Sequence, residues 1–142
     1  MKDLHSNIAV ETLIGNATLD ADNVPVAVDL SGFKAAEIIL AIGEGGIVFD
    51  GANKIEFVLT HSEDGQAYEA VTDADMIGME GIADGIIMTL NEEHADPASY
   101  RFGYKGNLRY LQLLADFSGA HGTGTPIAAV AVKGSPRVAP QG

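Results

Sequence analysis

The chain has 142 residues, a net charge of −12 at pH 7, 46% hydrophobic residues and no cysteine. This length suits one domain with its own core, and this hydrophobic content excludes a wholly disordered chain. The acidic balance argues against unspecific nucleic-acid binding, and the lack of cysteine excludes a disulfide-stapled scaffold and thiolate metal ligation.

Neither the apolar runs nor the first residues of the chain indicate a membrane span or a signal peptide. No apolar run approaches the roughly 20 residues of a membrane span. The first residues, MKDLHSNIAV, carry an acid and an amide where a signal peptide has an apolar stretch. We therefore expect a soluble protein that is not exported through a cleaved signal.

Short runs of alternating or dense apolar residues recur along the chain and predict about eight strands. In chain order they are 24–30, 37–42, 54–61, 68–71, 85–90, 99–104, 108–117 and 126–133. The first should bury Val24, Val26, Val28 and Leu30, with Pro25 typical of an edge strand. The third should bury Ile55, Phe57 and Leu59.

Turn signals separate these runs, and helical signals are weak. Asp64-Gly65 predicts a tight hairpin, and residues 72–84 predict a loop with one helical turn. No segment of ten residues has helical periodicity, so the fold class is all-β: an antiparallel β-sandwich or jelly roll. We expect one domain, 1–142, with an N-terminal arm at 1–7 and a C-terminal tail at 134–142.

The stretch GAHGTGTP, residues 119–126, poses the question of phosphate binding. Phosphate loops work because their glycines lead into a helix N-terminus, where free amides meet the anion. Here Pro126 and an apolar β run follow. The stretch is therefore predicted to be a hairpin connection, and no cofactor is expected.

Other chemistry finds little support in the residues. His5, His61, His94 and His121 lack metal-site spacing, so they are expected at the surface or in turns. The pairs Asp73/Asp75 and Asp20/Asp22 begin like calcium loops but lack the later ligands, which leaves only weak calcium binding open.

An enzyme is not expected. Cysteine and the Gly-x-Ser-x-Gly elbow are absent, and so is tryptophan, the usual sugar platform. Twenty acids leave a carboxylate pair open. Tyr100, Phe102 and Tyr104 share one face of a strand, and core packing is favoured over base stacking because the protein is acidic. We predict no catalytic and no metal-binding residue.

The charge is unevenly distributed along the sequence. Residues 1–98 hold 19 acids and three lysines, a net charge of −16, whereas residues 99–142 hold five basic residues and one acid, a net charge of +4. A cationic segment in an anionic protein is a candidate docking surface. Its basic residues are Arg101, Lys105, Arg109, Lys133 and Arg137. The alternative is that the two parts interleave in the fold and the charges cancel locally.

Several short stretches resemble the head decoration, or cement, proteins of tailed bacteriophages. They are MKDLHSNI (1–8), VDLSGF (28–33), HSEDG (61–65), FGYKGNLRYL (102–111) and VKGSPR (132–137). Some members of that group carry a basic or histidine-rich end, where this sequence has VAPQG.

This resemblance implies a structural virion protein that binds the major capsid protein on the outer capsid surface, after synthesis in the host cytoplasm. It implies no catalytic residue, no nucleic-acid partner and no membrane partner. Capsid symmetry favours a homotrimer at three-fold positions, with a dimer at two-fold positions as the alternative.

Two other functions stay open. One is a carbohydrate- or receptor-binding sandwich on a phage tail or bacterial surface, which would display loop aromatics; Phe33 and Phe49 are the main candidates. The other is a small hydrolase, which would need a pocket with converging acids.

Overall fold

A computed structural model describes residues 3–136, and strands account for half of them. The strands are β1 (Ala9–Leu19), β2 (Val28–Asp29), β3 (Phe33–Ile42), β4 (Lys54–Ser62), β5 (Glu69–Ala70), β6 (Ile86–Leu90), β7 (Ala98–Tyr104), β8 (Tyr110–Ser118) and β9 (Thr125–Pro136). Two 3-10 turns, His5–Asn7 and Asp73–Asp75, are the only helical elements within these residues. The all-β class is confirmed.

The strands form two antiparallel sheets. The four-stranded sheet has the order β1-β9-β3-β7, and the five-stranded sheet has the order β2-β8-β4, with β5 and β6 sharing the other edge of β4. Thus β1 pairs with β9, β2 with β8, β3 with β7, and β4 with β5 and β6. The chain runs as one long hairpin rolled into two sheets, which is the jelly-roll arrangement.

The core lies between the two sheets and is built from alternate residues of the central strands. Ile55, Phe57 and Leu59 of β4 are fully buried, as predicted, opposite Ile38 and Leu40 of β3. Each such side chain contributes about 1.5–3 kcal/mol by leaving water. This core fixes the outward direction of the intervening residues, which form the outer faces.

Strand β1 was not predicted, and its irregular pairing explains why. Its register against β9 shifts between Thr12 and Ile14 and again between Ile14 and Ala17. As a result both Leu13 and Ile14 are buried, which breaks the period of two that marks a strand in a sequence.

The predicted strand 24–30 is wrong in its first half, although Val28 and Leu30 are buried as predicted. Only Val28–Asp29 pairs with β8, while Val24 is 85% exposed and Val26 is 54% exposed. Ahead of them, the Asn23 side chain donates to Leu113 O and accepts from Ala115 N, at 3.2 and 2.7 Å. This side chain satisfies the β8 edge where a longer β2 would have paired.

Two element boundaries also differ from expectation. Strand β9 continues to Pro136, so the first three residues of the predicted tail at 134–142 are part of the four-stranded sheet. The 3-10 turn at His5–Asn7 occupies the end of the predicted arm at 1–7. Residues 1–2 and 137–142 lie outside the described residues.

Candidate functional site

The glycine-rich stretch 119–126 joins β8 to β9, and these strands belong to different sheets. The predicted hairpin is therefore wrong: the stretch is a crossover at one end of the sandwich. Gly124 has φ +95°, and a Cβ there would lie 2.7 Å from Leu19 O. Gly124 therefore permits a close approach of two backbones, which is a conformational role. The stretch leads into strand β9 and not into a helix.

Two of the histidines that were expected at the surface or in turns are buried, although His121 does lie in a connection, between β8 and β9. His121 packs between Phe49 and Phe117, with ring centroids 6.0 and 4.7 Å away, and its Nε2 is 2.7 Å from Ser118 O. His61 is also buried, with Nδ1 2.8 Å from Tyr104 Oη. His61 on β4 and His121 in the stretch 119–126 thus occupy buried positions of a kind that apolar residues usually fill.

Tyr104 is the buried end of the aromatic row on β7. Burial raises the pKa of its hydroxyl to about 12, so it is a neutral hydrogen-bonding group at any physiological pH. Tyr100 and Phe102 are half-buried against the same core, as the core-packing interpretation of this row predicted. Within residues 3–136, no group of three or more His, Asp or Glu side chains is placed to hold a metal ion.

The structure separates the five docking candidates. Lys133 is 8% exposed, and its Nζ lies 3.3 Å from Glu11 and 3.2 Å from Asp29 O, so it serves the fold. Arg101 is 81% exposed in its side chain and lies 3.5 Å from Glu37. Lys105 is exposed and has no ion-pair partner in the described part of the chain. Arg137 lies outside that part.

Arg109 forms the best-defined ion pair of the set. Its Nε and Nη2 donate to the two carboxylate oxygens of Asp29 at 2.9 and 2.8 Å, and its guanidinium lies 5.1 Å from the Tyr110 ring centroid. Asp29, Glu37 and Glu11 all come from the acid-rich part of the sequence. Three of the four described candidates are thus neutralised locally, in line with the alternative interpretation of the charge asymmetry.

The Asp29–Arg109 pair predicts a specific pH dependence. Hydrogen bonds from the Arg109 guanidinium lower the pKa of Asp29 to about 2, against about 3.9 in an unfolded chain. Its stabilisation is therefore complete above about pH 5 and is lost as the pH falls through about 2. Since both side chains are at least 40% exposed, we expect only about 0.5–1 kcal/mol.

Denaturant unfolding of wild type and Asp29→Asn across this pH range measures the effect. The difference in unfolding free energy should shrink toward zero at about pH 2. An undiminished difference at that pH would show that Asp29 acts through another contact.

A groove opens beside this pair, between segments 30–35 and 104–109. It has a volume of about 540 Å³. Among its lining residues Lys34 and Arg109 are cationic, Phe33 and Leu108 are apolar, and none is acidic. Lys34 could not be recognised as a site residue from the sequence, because only the fold brings it to the same groove as Arg109.

The outer face of the four-stranded sheet is mostly aliphatic. We call it the aliphatic face; it consists of Val10, Thr12, Ala35, Glu37, Ile39, Ala41, Ser99, Arg101, Ala128, Val130 and Val132. Its two charges form the Glu37–Arg101 pair, so it is neutral. Thr12, Val130, Ile39 and Arg101 form one row across all four strands. The signal in the sequence was the unbroken apolar run 127–132, which leaves both sides of β9 apolar.

The five-stranded sheet presents a different outer face. Glu56 and Asp116 lie directly opposite each other across β4 and β8. Burial, together with the nearby Asp22 and Glu56 carboxylates, raises the pKa of Asp116 above its ordinary value. Fourteen of the chain's 20 acids lie outside the strands. Most of the acidic residues therefore lie in the connections around the sheets, whereas the aliphatic face has no net charge.

The two loop aromatics singled out for carbohydrate binding are not displayed. Phe49 is 2% exposed, and Phe33 is a half-buried residue of β3 with Lys133 Nζ 5.1 Å from its ring centroid. The exposed large hydrophobic side chains in the described residues are all aliphatic. The structure thus offers no aromatic platform among these residues.

Comparison of the chain with protein-family models, curated proteins and solved structures gives no match. Over residues 3–136, no helix has the length and apolar character needed to cross a membrane.

Proposed function

We propose that the protein is a structural component of a virion that decorates and stabilises the outer surface of a tailed-phage capsid. Its partner is the major capsid protein, and its copies form a homotrimer on the shell. The proposal excludes catalysis, nucleic-acid binding and membrane binding. The resemblance of five sequence stretches to cement proteins suggests this function.

The aliphatic face is the observation that carries the proposal. Each outward residue of a pleated sheet covers about 32 Å², so the eleven residues of this face cover about 350 Å² in projection. It can therefore form the centre of an interface of about 800 Å² per partner. Its larger side chains Ile39, Val130 and Val132 are half-buried, and Val10 is 56% exposed. A neutral, mostly aliphatic patch on an otherwise acidic protein is typical of a site that another protein covers.

The remaining features are consistent with a structural protein that binds a partner and catalyses no reaction. The jelly roll is a fold shared by viral capsid proteins and lectins, so the fold alone does not choose between them. The buried Phe49 and half-buried Phe33 disfavour the carbohydrate-binding alternative. Arg101 lies on the aliphatic face, where it can exchange Glu37 for a carboxylate of the shell.

The test is to mix the purified protein with heads assembled without a decoration protein and to sediment the heads. The proposal predicts saturable co-sedimentation, a higher melting temperature of the heads, and trimers of the free protein by mass photometry. Lys105→Glu leaves the Asp29–Arg109 pair intact and should reduce the salt dependence of binding if Lys105 faces the shell. Binding to a glycan array without binding to heads would favour the carbohydrate-binding alternative.

A further inference from the structure

The groove between segments 30–35 and 104–109 differs in charge from the rest of the molecule. Acids outnumber basic residues by 20 to eight in the chain, yet the groove lining has two cations, Lys34 and Arg109, and no acid. The Asp29 carboxylate beside the groove balances Arg109, so Lys34 is the charge that is not neutralised. The groove also adjoins the aliphatic face, because Ala35 belongs to both.

One wall of the groove holds a guanidinium fixed in place. Asp29 engages two of the five N–H donors of Arg109, and the Tyr110 ring packs against the same group. The orientation of Arg109 is therefore set before any ligand arrives, and three donors remain for a further acceptor. Preorganisation of this kind reduces the entropy lost on binding.

The segment 30–35 supplies an unneutralised charge. Lys34 is exposed and has no ion-pair partner between residues 3 and 136. Next to Lys34 in the chain, the Phe33 ring has the buried ammonium of Lys133 5.1 Å from its centroid. Phe33 and Leu108 contribute apolar surface to the same lining.

We infer that this groove binds an acidic, extended peptide segment of a partner protein. One carboxylate of the segment pairs with Lys34, a second with Arg109, and an apolar side chain between them packs on Phe33 and Leu108. The strongly negative net charge repels a polyanion such as nucleic acid, whereas a short segment with two carboxylates can use Lys34 and the N–H donors of Arg109 that Asp29 leaves free. This inference does not rest on the partner being a capsid subunit.

The experiment uses the isolated protein and a fluorescein-labelled Gly-Glu-Leu-Glu-Gly peptide, with fluorescence polarisation at low salt. We expect saturable binding that weakens about tenfold between about 20 and 300 mM salt. The matching Gly-Gln-Leu-Gln-Gly peptide should bind about tenfold more weakly. Amide NMR shifts should map the peptide to 31–34 and 106–109.

Charge-matched variants locate the site. Lys34→Glu should weaken binding about tenfold, Lys34→Arg should retain it, and Lys54→Glu, on the five-stranded sheet, should change it less than about twofold. Melting curves verify that each variant is folded. The inference is overturned if wild type shows no saturable binding at low salt, if the glutamine peptide binds equally well, or if Lys54→Glu weakens binding as much as Lys34→Glu. Head binding is not measured, so failure here leaves the capsid proposal standing.

Discussion

Replacement of Gly124 by alanine is expected to destabilise the protein by about 3 kcal/mol, and to lower its melting temperature by about 10 °C. Gly124 has φ +95°, a conformation that side chains rarely adopt. The added Cβ would also lie 2.7 Å from Leu19 O, at the end of β1. Relief of this overlap requires β1 and the crossover to separate, which disturbs the edge of the four-stranded sheet.

Gly15→Ala is the matched control, because Gly15 lies in β1 and a Cβ there meets no atom within 4 Å. It should leave the stability within about 0.5 kcal/mol of wild type. Thermal and urea unfolding of the three proteins measure both effects. Equal stability of Gly124→Ala and wild type would mean that the crossover glycines are kept for something other than backbone geometry.

Val130→Arg is expected to weaken binding to undecorated heads by about 100-fold, equivalent to about 3 kcal/mol. Val130 lies on β9, an inner strand of the four-stranded sheet, next to Thr12 on one side and Ile39 on the other. An arginine at this place would bring an unpaired charge into the centre of the proposed interface.

The control places the same residue on the other sheet. Thr60 points outward from β4 between Gln112 and Ala70, so Thr60→Arg adds equal charge and bulk away from the aliphatic face. It should bind heads within about threefold of wild type, and both variants should melt within about 3 °C of it. If the two variants lose binding equally, or neither does, the aliphatic face is not the capsid-binding surface.

The regular strands were predictable because burial alternates along them without interruption. In β4, each inward residue from Ile55 to Leu59 is apolar, and its outward neighbours are polar or half-buried. The same alternation in β8, with Leu111, Leu113 and Ala115 inward, made the longest predicted strand correct to within two residues. Local pattern suffices where one face of a strand is buried and its register is unbroken.

The irregular regions could not be predicted, because their structure depends on partners distant in sequence. The register shifts of β1 are visible only against β9. Val24 and Val26 are exposed because the Asn23 side chain makes hydrogen bonds to the edge of β8, about 90 residues later, where these residues were expected to pair. The crossover at 119–126 looks like a hairpin until the sheet membership of β8 and β9 is known.

The site residues show the same limit. The basic residues of 99–142 were recognised from sequence, but their pairing with Glu11, Asp29 and Glu37 is set by the order of the strands. The groove likewise brings together Lys34 and Arg109, and no spacing in the sequence encodes this.

Electron microscopy of heads mixed with the purified protein tests the proposed function most directly. We predict density for the jelly roll on the outer surface of the shell, with the aliphatic face of β1, β9, β3 and β7 toward the major capsid protein and Glu56 and Asp116 directed away from it. Heads that remain bare at saturating protein, or copies attached through the five-stranded sheet, would contradict the account.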